Sequence, residues 1–155
     1  MNQISNDMEF KQALEGLSTV KQRTMAAAFV AHVLPLSKDE RLNRVVSIAG
    51  VEHVMEDELL NALKSARAAT FESHTRCGSE GDWTDQAGYF VARAAVAAVT
   101  PPAQSRAGGA AWQAAMSSRM ARTSMLIDDG DGEATAQAEN EWQYRALSDY
   151  LNTNG

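Results

Sequence analysis

The sequence predicts an all-α fold: a single-domain bundle of about six helices covering residues 1–155. Three observations carry that expectation. Apolar residues make up 45% of the chain and are dominated by alanine, which loses no side-chain entropy in a helix. Apolar positions recur at spacings of three and four in nearly every segment, the period of an amphipathic helix. No stretch alternates in the manner of a strand, and no Asn-Gly hairpin occurs. A chain of 155 residues can also bury about two-thirds of the surface its unfolded form exposes, so no disulfide or structural metal is required for stability.

From Asp7, the spacing of Phe10, Leu14 and Leu17 predicts a first helix, with Gly16 and Ser18 as candidate interruptions. The next run, "TVKQRTMAAAFVAHVL", sets Val20, Met25, Ala28, Phe29 and His32 or Val33 on one broad face until Pro35 stops it. "SKDERLNRVVSIAG" opens on Ser37 as an expected N-cap, with Asp39 and Glu40 where acidic groups suit the helix dipole. Its seam is Leu42, Val45, Val46 and Ala49, and Gly50 is the expected terminator. A longer helix should start within "VEHVMED" and carry Leu59, Leu60, Leu63, Ala66 and Thr70 or Phe71 on its buried face. "TRCGSEGDW" contains two glycines and no periodicity, and reads as a loop.

"TDQAGYFVARAAVAAVT", expected to start at Thr84, is apolar almost all round apart from Arg93, which predicts a central helix. Pro101 and Pro102 should end it and admit the next helix, since proline is tolerated in a first turn. That helix presents a stripe of Trp112, Met116, Met120, Thr123 and Ile127, while Gly108, Gly109 and its alanines favour close helix approach. The last segment, "GEATAQAENEWQYRALSDYLN", offers Trp142, Tyr144, Leu147, Tyr150 and Leu151 to the core.

A formal charge of -6 and a pI near 5.0 mean that the molecule as a whole repels phosphates, which argues against nucleic acid as a partner. Cys77 is the single cysteine, so no internal disulfide forms and the reducing cytoplasm is the expected compartment. "MNQISNDMEF" lacks the basic and apolar regions of a signal peptide. The longest apolar runs are interrupted by His32 and Pro35 or by Arg93, short of the roughly 20 residues that span a bilayer. No membrane association is expected.

The candidate sites are few. "DDGDGE" invites comparison with a calcium loop, which needs oxygen ligands at positions 1, 3 and 5, Gly at 6 and Glu at 12. With Gly132 at position 6, position 1 falls on Ile127 and position 12 on Ala138, and the other registers fail as well. Asp128, Asp129 and Asp131 therefore read as a solvated inter-helix turn, with Asp131 or Glu133 near the following helix N-terminus. His32, His53 and His74 are equally spaced, and His53 lies beside Glu52, Glu56, Asp57 and Glu58. A metal set of His32, His53, Glu56 and His74 is the rival reading, because imidazole and carboxylate suit zinc or iron. Against it, di-iron bundles use paired Glu-x-x-His motifs, whereas here His53 precedes Glu56 and the pair occurs once.

Cys77 follows His74 by three residues, but a nucleophile and its base normally meet through the fold rather than through sequence, so an ordinary thiol is the preferred reading. Residues 86–127 hold Arg93, Arg106, Arg119 and Arg122 and no Asp or Glu. These arginines could gather around an anionic ligand, although pairing with Glu139, Glu141 or the "MEDE" acids across helices is favoured. No catalytic constellation and no cofactor motif is recognised.

Three segments carry a resemblance. "VKQRTMAAAFVAHVLPL" resembles the helix ending in "VLPL" near the start of two groups of small bacterial helical proteins: the YjaG-like family of unknown function and the alanine-rich immunity-type proteins of polymorphic toxin systems. "ARAATFESH" followed by "FVARAAVAAV" is similar to the middle of the immunity-type group, and "ENEWQYRALSDYL" to the closing helix of both. The resemblance implies an all-helical cytoplasmic protein that acts by binding, and supplies no catalytic residue. Together with the acidic surface, it leads to the expectation of a protein partner, such as a cognate toxin with a basic surface. Glu52, Glu56, Asp57, Glu58, Asp128, Asp129 and Asp131 are the expected contact residues, and self-association is a further expectation.

Overall fold

Asn6 and Ser18 divide the first 33 residues into two helices. The Asn6 side chain accepts a hydrogen bond from Glu9 N at 2.9 Å, and Ser18 Oγ accepts one from Lys21 N at 3.3 Å. Each satisfies an otherwise orphaned donor at a helix start. The resulting elements are α1 (Asp7–Glu15) and α2 (Thr19–Val33), separated at Gly16, Leu17 and Ser18.

The computed structural model describes residues 3–79, 83–126 and 132–154. Among these it contains helices and their connections and no strand, so the all-α class is met. The further helices are α3 (Arg41–Ala49), α4 (Glu56–Ser79), α5 (Trp83–Val99), α6 (Gly109–Leu126) and α7 (Gly132–Asn154), with 3-10 turns at Leu34–Leu36 and Pro102–Gln104. The described residues thus form seven α-helices rather than about six. No helix among them is long and apolar enough to cross a membrane.

α5 starts at Trp83, one residue before the expected Thr84, and three further boundaries differ for physical reasons. Ser37 is not the cap of α3. Its Oγ accepts from Asp39 N at 3.1 Å and Asp39 Oδ1 accepts from Arg41 N at 3.0 Å, so two successive side-chain turns hold residues 37–40 outside the helix. α4 runs on to Ser79, through half of the segment expected to be a loop. A lone Gly78 costs about 1 kcal/mol within a helix, too little to end one without proline. Finally, Pro101 and Pro102 end α5, but α6 starts only at Gly109. Between them Gly108 (φ +91°) and Gly109 (φ +87°) turn the chain through left-handed backbone. A Cβ on Gly108 would also collide with the Trp112 ring.

α5 and α6 form the central pair, with α2, α3 and α4 packed on α5, and α1, α2 and α7 on α6. Their contact faces are built from small residues. On α5, Ala87, Val91, Ala92, Ala94, Ala95 and Ala98 are buried; on α6, Ala111, Ala114, Ala115, Ser118, Ala121 and Ser124 are buried. The expected Trp112–Met116–Met120 stripe is instead the flank of α6, with Met120 47% exposed. α4 shows the same substitution. Ala62, Leu63, Ala66, Ala69 and Ser73 are buried, while Leu60 and Phe71 face outward at 43% and 73% exposure. Alanine faces win because they let helix backbones approach closely, which keeps more atoms in contact than a bulky stripe would allow.

Bulkier side chains enter the core from α1, α2, α3 and α7. Phe10 packs against Phe29, Trp112 and Tyr144 with ring centroids 5.6, 6.1 and 5.4 Å away. Leu14, Leu42 and Leu147 are fully buried, as are the β-branched Val30, Val33 and Val45.

Candidate functional site

His32, His53, His74 and Glu56 do not converge. His32, on α2, lies flat on Trp142 of α7, ring centroids 3.5 Å apart and planes 4° from parallel. Its Nδ1 is 2.8 Å from Glu139 Oε2. Glu139 is almost fully buried, and Arg122 places its Nε 4.0 Å from the same carboxylate while its Nη2 donates to the His32 carbonyl at 3.3 Å. A buried carboxylate needs such partners, since desolvation without them costs several kcal/mol. This cluster ties α2, α6 and α7 together.

His53 sits exposed in the connection between α3 and α4, and His74 is exposed on α4 against Tyr89. Among the described residues, no group of three or more His, Cys, Asp or Glu side chains is placed to hold a metal ion. His32, His53, His74 and Glu56 are therefore not brought together as a ligand set. Cys77 lies in the final turn of α4 rather than in a loop.

Glu52, Glu56, Asp57 and Glu58 are exposed around the start of α4. Three large apolar residues stand among them: Val51 (50% exposed), Met55 (69%) and Leu60. Arg23 of α2 fixes the segment from behind. Its Nε donates to Ala49 O at 3.1 Å, and its Nη2 donates to Val51 O at 2.7 Å and Glu52 O at 3.0 Å. A guanidinium is well suited to collecting carbonyls at a helix C-terminus, where the dipole is negative. The edge is thus held in one conformation although its side chains face water. Asp128, Asp129 and Asp131 lie outside the described residues.

A second surface was only half visible in the sequence. A cleft of about 790 Å³ opens between α4, α5, the turn after Pro102 and α6. Arg67, Arg93 and Arg106 line it together with His74, Phe71 and Tyr89, and no Asp or Glu among the described residues does. Arg93 and Arg106 belong to the acid-free segment noted above. Arg67 was missed, yet Arg67, Phe71 and His74 follow one another at spacings of four and three, the outward stripe of α4. The other two arginines of the acid-free segment take carboxylate partners: Arg122 faces Glu139, and Arg119 forms a two-point contact with Asp7.

What these features define, among the described residues, is an all-α protein of seven helices with an acidic, apolar-studded edge and a basic cleft beside it. Compared with protein-family models, curated proteins and solved structures, the chain matches none of them.

Proposed function

We propose that this protein acts by binding a basic protein partner in the cytoplasm through the edge that residues 51–60 form, in the manner of an immunity-type protein covering a toxin's active surface. The observation that carries the reading is the exposure of Val51, Met55 and Leu60 in the same short segment as the exposed Glu52, Glu56, Asp57 and Glu58. Exposed apolar anchors ringed by charge are the anatomy of a protein interface. The acidic rim would steer a basic surface toward the edge, and burial of the anchors would hold it. Because Arg23 fixes the backbone beneath, little ordering entropy is lost on association. The resemblance to immunity-type proteins supports the same reading.

Co-expression with the product of the adjacent gene is the test. The expected result is rescue of growth and a co-purifying complex, both weakened by Glu56→Lys with Asp57→Lys or by Met55→Ser. Neither rescue nor a complex would remove the basis of the proposal.

A further inference from the structure

The basic cleft adjoins the acidic edge, since Thr100, Ser105 and Ala110 line both it and a neighbouring pocket that Glu56 and Leu60 reach, but the chemistry of its own lining differs. The chain carries a net charge of -6, yet three arginines from three separate segments line one cleft, and no Asp or Glu among the described residues does. Four arginines elsewhere have built partners: Arg23 takes three carbonyls, Arg41 takes Asp39 and Glu72, Arg119 takes Asp7, and Arg122 takes Glu139. Among the described residues, Arg67, Arg93 and Arg106 form no ion pair with a carboxylate. Like charges around one concavity repel one another, so this arrangement opposes folding unless something anionic compensates it.

Arginine forks match phosphate oxygens in two-point contacts, and three of them supply the charge that a diphosphate needs. The aromatic wall adds a second requirement. Phe71 is 73% exposed on the rim, and Tyr89 stands between His74 at 5.5 Å and the Arg93 guanidinium at 5.8 Å. An exposed phenyl ring beside guanidinium groups is a stacking surface for a flat ring. The cleft volume lies within the range of about 300–1,000 Å³ typical of small-molecule sites.

The loop that carries Arg106 is held in place before any ligand arrives. Gln113 Nε2 donates to Ala107 O at 2.6 Å, Ser105 N to Pro102 O at 3.2 Å and Gly109 N to Arg106 O at 3.0 Å. Arg106 is therefore presented on a closed turn rather than on a free strand of chain.

We infer that the cleft between α4, α5 and α6 binds a small phosphorylated ligand with a flat ring, the chemistry of a nucleoside diphosphate, with Arg67, Arg93 and Arg106 on the phosphates and Phe71 against the ring. A free nucleotide fits better than a nucleic-acid strand. The negative field of the whole molecule repels a long polyanion, while screening over about 8 Å at physiological salt leaves the local positive charge of the cleft to act on a small one.

Calorimetric titration of the full chain with ADP, with pyrophosphate and with a short single-stranded oligonucleotide, at physiological salt, tests this. ADP is expected to bind, with Arg67→Ala and Arg106→Ala each weakening it about tenfold. Phe71→Ala should weaken ADP while leaving pyrophosphate unchanged. Arg44→Ala, which removes the same charge from an exposed site outside the cleft, should leave ADP binding intact. All four substituted residues are exposed, and matching helical circular dichroism and thermal midpoints would confirm that the variants fold. Absence of ADP binding up to millimolar concentration, or arginine variants that bind like the parent, would overturn the assignment. Pyrophosphate binding as tightly as ADP, or tighter binding of the oligonucleotide, would overturn the choice of ligand. None of these outcomes depends on the acidic edge, so failure here leaves the partner-binding proposal to its own test.

Discussion

Asp7 and Arg119 stand 112 positions apart in the chain and meet in a two-point contact, Nη2 to Oδ1 at 2.9 Å and Nη1 to Oδ2 at 3.1 Å. Tyr144 donates its hydroxyl to the same Oδ1 at 2.7 Å, and Arg119 Nε donates to Gln143 Oε1 at 2.8 Å. One carboxylate in the first turn of α1 thereby ties that short helix to α6 and α7. The guanidinium also lies 5.4 Å from the Phe10 ring, over the aromatic core it helps to enclose.

This contact should shape the dependence of stability on pH. The Arg119 hydrogen bonds hold the Asp7 carboxyl below its ordinary value, outweighing partial burial, with Tyr144 adding in the same direction. A lowered folded value means that the contribution is present above the ordinary carboxylate range and is lost as pH falls through the folded value. Tyr144 is raised, first by burial and then by its bond to Asp7, so its contribution holds below the ordinary tyrosine range and fades as pH climbs through the raised value. Asp7→Asn should cost about 1 kcal/mol at neutral pH, a modest figure because half of the Asp7 side chain is exposed. Urea unfolding between pH 3 and pH 7 should show a shallower acid limb for the variant. Identical slopes would mean that the pair contributes nothing.

Gly108→Ala should destabilise the fold by about 1–3 kcal/mol, since the backbone there is left-handed and a Cβ would meet the Trp112 ring. Gly88→Ala is the control. It lies within α5 with no atom near its Cβ position, so it should leave stability unchanged or raise it slightly. Thermal midpoints of the two variants check this. A neutral Gly108→Ala would show that the turn between Pro102 and α6 relaxes freely.

The all-α class was legible because alanine bias and three-to-four spacing are local properties that every segment repeats. Which face of each helix is buried was less legible. The rule that bulky apolar residues mark the core selected Met120, Leu60 and Phe71, whereas the α4–α5–α6 layer is lined mainly by alanine and serine, with Leu63 and Val91 among them. Hydrophobic spacing ranks residues by size, and helices that pack at short range reverse that rank. The acidic edge was legible as a charge run, but not its apolar anchors, because Val51 and Met55 lie in a connection without periodicity. Arg67 stayed hidden because its neighbours in the cleft come from α5 and from the loop that carries Arg106.

Removing His32 should expose the cost of burying Glu139. His32→Ala removes the Nδ1 contact from that carboxylate, leaves it with Arg122 at 4.0 Å and deletes the stack on Trp142, a loss of about 2–4 kcal/mol. Glu139→Gln keeps the shape and needs no counter-charge, so the double variant should recover part of the loss. Chemical denaturation of the four proteins forms a double-mutant cycle. Strict additivity would show that the two side chains do not interact.

The sharpest contrast between sequence and structure lies on α6, where two readings rank the same substitutions oppositely. If the Trp112–Met116–Met120 stripe were core, Met120→Ser would be severe and Ala114→Leu mild. In the structure Ala114 is fully buried and Met120 is 47% exposed. A leucine at a position with no solvent exposure must displace its neighbours, and overpacking of a filled core costs about 1–3 kcal/mol. Met120→Ser removes a half-solvated side chain and should cost less than about 1 kcal/mol. Ala114→Leu should therefore lower the thermal midpoint by several degrees more than Met120→Ser, with each variant measured against the parent in the same buffer. The opposite order would return the methionine stripe to the core and move the α6 alanines to its surface.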